Sequence, residues 1–138
     1  MKAVVMKSRV LYAVGAVLIA AVPMAAHHSF SAEYDATAMV TLSGVVSKVE
    51  WSNPHVHIYV DVKDESGRVA TWNMEGSPPT VLIRKGFTAN VVNVGDTITI
   101  TGFRARDNST RGSRFEVITR EGTKYNFGGA GEFRPILR

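Results

Sequence analysis

The four histidines of the chain fall in two clusters, His27-His28 and His55/His57. Imidazole nitrogens suit Cu, Zn and Ni among the divalent ions. Two histidines two residues apart on a strand project from the same face. A histidine at a free N-terminus adds its amine to a ring nitrogen, which makes a ligand pair for Cu(II). His27, His28, His55, His57 and Glu75 are therefore the candidate ligands of a copper or, failing that, a zinc site. The competing reading makes His55 and His57 polar residues on a solvated sheet face, with His27-His28 simply following a leader.

Arg104, Arg106, Arg111 and Arg114 form a second cluster around one loop. With Tyr59 and Trp51 they could line a groove for an acidic small molecule, a polysaccharide, a lipid head group or an oligonucleotide. Base stacking needs several exposed aromatics, and only Tyr59 is expected to face outward, so no nucleic-acid partner is expected. Catalytic patterns are missing: there is no nucleophile elbow, phosphate loop or HExxH. The carboxylates of Glu33, Asp35, Asp61 and Glu75 have no spacing that pairs them. The chain reads as a binding or interaction protein, not an enzyme. A copper-dependent oxidase using an N-terminal histidine is the one concrete catalytic alternative.

Cysteine is absent, which removes disulfides, thiolate metal sites, CxxC redox chemistry and a lipidated N-terminus. The first 26 residues read as a secretory signal peptide. Lys2, Lys7 and Arg9 form a positive start, Val10 to Ala26 carries no charge, and Pro23 and Ala25-Ala26 lead to a cut before His27. The apolar run is short for a membrane span, which needs roughly 20 residues. Removing the leader takes three cations and no anion, leaving 13 cations against 12 anions, so the basic character belongs largely to the leader. The expected location is the periplasm or the exterior.

The elements that would position these residues follow from pattern. Residues 27–39 read as an arm, 40–128 as one folded domain and 129–138 as a tail. Val40 to Trp51 is a strand whose apolar phase changes at Gly44, with Val40 and Leu42 before it and Val45, Val49 and Trp51 after it. Ser52-Asn53-Pro54 is a connector. His55 to Asp64 alternates strictly, with Val56, Ile58, Val60 and Val62 on one side and His55, His57, Tyr59, Asp61 and Lys63 on the other, as a half-buried strand does. Arg68 to Gly76 is its hairpin partner. Parity sets the register: a loop at Glu65-Ser66-Gly67 puts His57 opposite Glu75, Ile58 opposite Met74 and Tyr59 opposite Asn73. Ser77 is expected to cap a short helix starting at Pro78-Pro79 and stopping at Gly86. Thr97 to Arg106 is a strand with a phase change at Gly102. Arg114 to Arg120 and Lys124 to Phe127 follow.

Three strands, a short helix and two more strands describe an all-β, OB-fold-like five-stranded Greek-key barrel. An immunoglobulin-like sandwich is the alternative; it has no helix between residues 77 and 86.

The segments HHSFSAEYD, VSKVEWSNPH, IYVDVKD and GDTITITGFRARDNSTRGSRF resemble a domain-of-unknown-function family of small exported bacterial proteins. The resemblance spans essentially all of the chain after the leader. It implies export and an OB-like fold, and it carries no activity. Members often have a larger apolar or aromatic residue at the position of His57, so the resemblance assigns His57 no family-wide role. Two functions stand side by side: a module binding copper or another small ligand, and a structural envelope protein contacting another protein.

Overall fold

The computed structural model describes residues 30–128, apart from the side chains of Arg114 and Phe115. The expected leader, His27, His28 and the expected tail at 129–138 lie outside the described residues. Residues 31–128 belong to one compact unit. A short helix α1 (Phe30–Glu33) runs straight into β1 (Tyr34–Glu50). There follow β2 (His57–Lys63), β3 (Val69–Glu75), the helix α2 (Pro79–Arg84), β4 (Thr97–Ala105), β5 (Arg111–Ile118) and β6 (Lys124–Asn126). The sheet order is β3-β2-β1-β4-β5-β6, and a parallel β3–β5 pairing closes it into a barrel. A closed, mostly antiparallel barrel with a helix between its third and fourth strands is an OB-like fold. The helix at residues 79–84 disposes of the sandwich alternative.

The hairpin register agrees residue for residue with the parity argument. His57 pairs Glu75, Ile58 pairs Met74 and Val60 pairs Trp72. Gly67 sits at φ 86° in the connecting loop, a conformation that costs glycine little. Val56, Ile58, Val60 and Met74 are completely buried, each contributing about 1.5–3 kcal/mol of apolar transfer. This side of the hairpin packs on Leu42, Val46, Ile98, Ile100 and Val117 inside the barrel, while Leu82 of α2 joins the same core.

Three expectations need correction. β1 starts at Tyr34, so residues 34–39 belong to the barrel and not to an arm; Tyr34 pairs Ala105 and Met39 pairs Phe103. The change of phase in β1 lies beyond Val46, where the β1–β2 register slips between Val46 and Lys48. Val46 is accordingly buried and Val45 is exposed. Gly44 serves a different need: a Cβ there would lie 2.3 Å from the Asp61 carbonyl oxygen, so glycine lets β2 cross tightly where β1 passes from one partner to the other. Ser77 does not cap α2. Pro78 holds the cap position without a side-chain bond, and the Ser77 hydroxyl is buried without a partner. At Gly102 the expected irregularity is present, between Thr101 and Phe103 on the β5 side.

Trp51, which could have joined the groove, packs inward. It stacks on Phe87 at 6.1 Å, and Phe87 also meets Tyr125 edge-on at 5.5 Å and Phe127 at 5.4 Å. The Asn53–Pro54 peptide bond in the connector is cis.

Candidate functional site

On the outer face of β2 and β3, Tyr34, Glu75 and His55 form a bonded chain. Met74 points into the core, so its neighbour Glu75 points out. The Tyr34 hydroxyl donates to Glu75 Oε2 at 2.7 Å, and His55 Nδ1 pairs with Glu75 Oε1. A carboxylate only accepts, so the shared hydrogen sits on His55 Nδ1. In the neutral ring this leaves the Nε2 lone pair available. The side chain of Glu75 is 14% exposed and that of His55 30%. The carboxylate is thus shielded while the ring keeps an accessible edge. Burial, and then the bond to Glu75, push the Tyr34 phenol well above the ordinary tyrosine range, with Arg111 partly offsetting them.

His57 is held in the same manner by a neutral partner. Its Nδ1 lies 2.9 Å from Asn73 Oδ1, an acceptor, so here too Nδ1 donates and Nε2 remains. The network continues away from the histidines: Asn73 Nδ2 makes a long 3.5 Å contact with the Tyr59 hydroxyl, which donates to Glu50 Oε2 at 3.0 Å. Lys48 Nζ is 2.5 Å from Glu50 Oε1 and 5.0 Å from the centre of the Tyr59 ring. The bonds from Lys48 and then Tyr59 hold the Glu50 carboxyl below the usual carboxylate range.

Of the five candidate ligands, the structure joins His55 to Glu75 and puts His57 opposite Glu75 in the ladder, while His27 and His28 lie outside the described residues. Among the described residues, no three His, Asp, Glu or Cys side chains are grouped so as to hold a metal ion. Both Glu75 oxygens are engaged, Oε2 by the Tyr34 hydroxyl and Oε1 by His55. Tyr34 and Asn73 had no role in the sequence reading. The one available signal for Tyr34 was an aromatic ring at the foot of a β-branched run.

The rim arginines are individually engaged. Arg104 lies 5.6 Å over the Trp72 ring and donates to the Asn108 carbonyl at 2.8 Å. Arg106 Nε donates to the Ser31 carbonyl at 2.8 Å. Arg111 Nε contacts Ser109 Oγ at 3.4 Å, and its Nη2 lies 3.6 Å from Asp107. The side chain of Arg114 is outside the description. Trp51 is absent from this rim for the reason given above.

Comparison with curated proteins finds no match. Among solved structures, the chain is similar to the mitochondrial single-stranded DNA-binding protein Rim1 of S. cerevisiae, at 11% identity and a TM-score of 0.40, over 67% of this chain and 85% of that one. A family match extends over residues 15–114, from within the expected leader into β5. The chain therefore belongs to DUF6152, a family of unknown function.

Proposed function

We propose that this protein is an exported OB-fold-like binding module that takes a divalent ion of the copper class at His55, on the outer face of β2 and β3. One arrangement supports the reading: the His55 ring is tied through Nδ1 to a shielded carboxylate and keeps Nε2 available. Metal-ligating histidines characteristically give their other ring nitrogen to a carboxylate or carbonyl, which fixes the tautomer and raises ligand basicity. Two imidazoles with no thiolate favour Cu, Zn or Ni over Mg or Ca. His57, with its Nδ1 on Asn73, is the second ligand offered. His27 and His28 are the further ligands the sequence provides.

Export rests on the leader. Intact mass of the secreted protein is expected to begin at His27, and retention of residues 1–26 would contradict it. The binding test is titration of the exported protein with Cu(II), followed by its thermal midpoint. A ligand that prefers the folded chain adds about 2.7 kcal/mol at a hundredfold excess over Kd, which moves the midpoint by several degrees. His55→Ala should remove the shift, and His57→Ala or the double change His27→Ala/His28→Ala should reduce it. A wild-type midpoint that does not respond to Cu(II) contradicts the reading.

A further inference from the structure

The Tyr34–Glu75–His55 chain joins three places far apart in sequence: the foot of β1, the end of β3 and the connector before β2. Tyr34 is 4% exposed. Its segment is fixed independently of its hydroxyl, because Arg106 N donates to the Glu33 carbonyl at 2.9 Å and Arg106 Nε to the Ser31 carbonyl at 2.8 Å. The phenol thus reaches Glu75 from a rigid mount. Glu75 is equally mounted: its strand pairs His57 on one side and Ser113 of β5 on the other. With Oε2 occupied by the Tyr34 proton at 2.7 Å, Oε1 is left facing His55.

We propose that Tyr34 and Glu75 are positioning residues for His55, locking its imidazole in the Nδ1–H tautomer with Nε2 presented outward. As a role in metal binding this rests on the function proposed above, but the tautomer is a property of the metal-free protein. The chemistry is asymmetric. Carboxylate oxygens can accept from the phenol and the imidazole together, whereas an amide has a single acceptor oxygen. Glu75→Gln must therefore offer an N–H to one of its two partners. If that partner is His55, the ring has to accept at Nδ1 and carry its hydrogen on Nε2, where it blocks the lone pair a ligand would use. Tyr34→Phe keeps the ring packing and removes only the hydroxyl that steadies Oε2.

The test combines two readouts on the exported protein and on the Tyr34→Phe, Glu75→Gln and His55→Ala variants. The first is the ¹⁵N chemical shift of the neutral His55 ring without metal. The wild type is expected to show a pyrrole-like Nδ1 and a pyridine-like Nε2. Glu75→Gln and Tyr34→Phe should each shift the ring from a single tautomer toward a mixture. The second is Cu(II) affinity, which should fall about tenfold to a hundredfold in both variants, the range seen when an outer-shell partner of a ligand is removed. A wild-type ring protonated on Nε2 overturns the positioning role whatever the metal result. So do unchanged tautomers and affinities in Tyr34→Phe and Glu75→Gln when His55→Ala abolishes binding, and in that case the metal site stands. A wild-type ring in the Nδ1–H tautomer that responds to both substitutions supports the positioning role even if Cu(II) does not bind, and then only the metal reading falls.

Discussion

His57 bonds Asn73 at 2.9 Å although the residue directly across from it in the ladder is Glu75. Glu75 in turn bonds His55. His57 thus takes the β3 side chain one diagonal step away rather than its direct partner, while His55, in the connector before β2, takes Glu75. Diagonal neighbours lie about 7–8 Å apart at the backbone, within reach of long side chains. The right-handed twist of paired strands brings one of the two diagonals closer. The consequence is chemical: His55 receives a charged acceptor and His57 a neutral one, so the two rings sit in different electrostatic settings.

The tight crossing of β1 and β2 makes Gly44 the most constrained small residue on this side of the barrel. A methyl group there would meet the Asp61 carbonyl oxygen at 2.3 Å and Val60 Cγ1 at 2.9 Å. Two paired backbones cannot separate without losing ladder bonds. Gly44→Ala is expected to destabilise the fold by about 1–3 kcal/mol, the usual cost of overpacking, measured by urea denaturation. An unchanged midpoint and slope would show that the strands can part freely.

How much of this was open to sequence reading depended on periodicity. The β2–β3 register followed from alternation, because Val56, Ile58 and Val60 leave one face for the core and parity does the rest. The short helix and the Gly102 irregularity were legible for similar local reasons. The start of β1 was not: residues 34–39 mix Asp35, Ala36, Thr37 and Ala38 without a clear apolar face, and their pairing with β4 is a long-range event. The bulge near Ser47 is not legible, because a glycine that permits close approach, as Gly44 does, and one that marks a bulge look alike in sequence. Ladder partners are predictable, but the diagonal bond of His57 to Asn73 depends on the twist, and that of His55 to Glu75 on a connector and on Tyr34 arriving from elsewhere.

Phe87 is the hub of the aromatic cluster, touching Trp51, Tyr125 and Phe127, and it is 2% exposed. Phe87→Ala should cost about 3–5 kcal/mol, a large share of a stability of about 5–15 kcal/mol for a domain. Trp51 loses its stacking partner in the same change. Its fluorescence in the folded variant should shift to longer wavelength, and an emission maximum like that of the wild type would contradict the packing described.

Alkaline pH should act through Tyr34. Its folded-state pKa is raised above the ordinary tyrosine value near 10, chiefly by burial and then by the bond to Glu75. The neutral phenol is therefore favoured by folding, and the stability it contributes is complete below about pH 10. As pH rises further, the unfolded chain ionises this group while the folded chain keeps its proton, so stability falls. Tyr34→Phe removes that component. The stability gap between wild type and Tyr34→Phe should shrink by on the order of 1 kcal/mol between pH 9 and pH 11. Tyr59 is raised as well, so the variant keeps some alkaline loss. A gap independent of pH in denaturant titrations would contradict the placement of Tyr34 against Glu75.

The site itself is tested most directly by pulsed EPR of the protein loaded with one equivalent of Cu(II). Nitrogen couplings from the remote nitrogen of a ligated imidazole report which rings bind. With Nε2 as the ligating atom, the remote nitrogen of His55 is the Nδ1 that bonds Glu75. The account predicts imidazole coupling in the wild type, loss of the His55 contribution in His55→Ala, and a changed remote-nitrogen coupling in Glu75→Gln. Spectra without imidazole coupling, or identical in the wild type and His55→Ala, would contradict a metal site at His55.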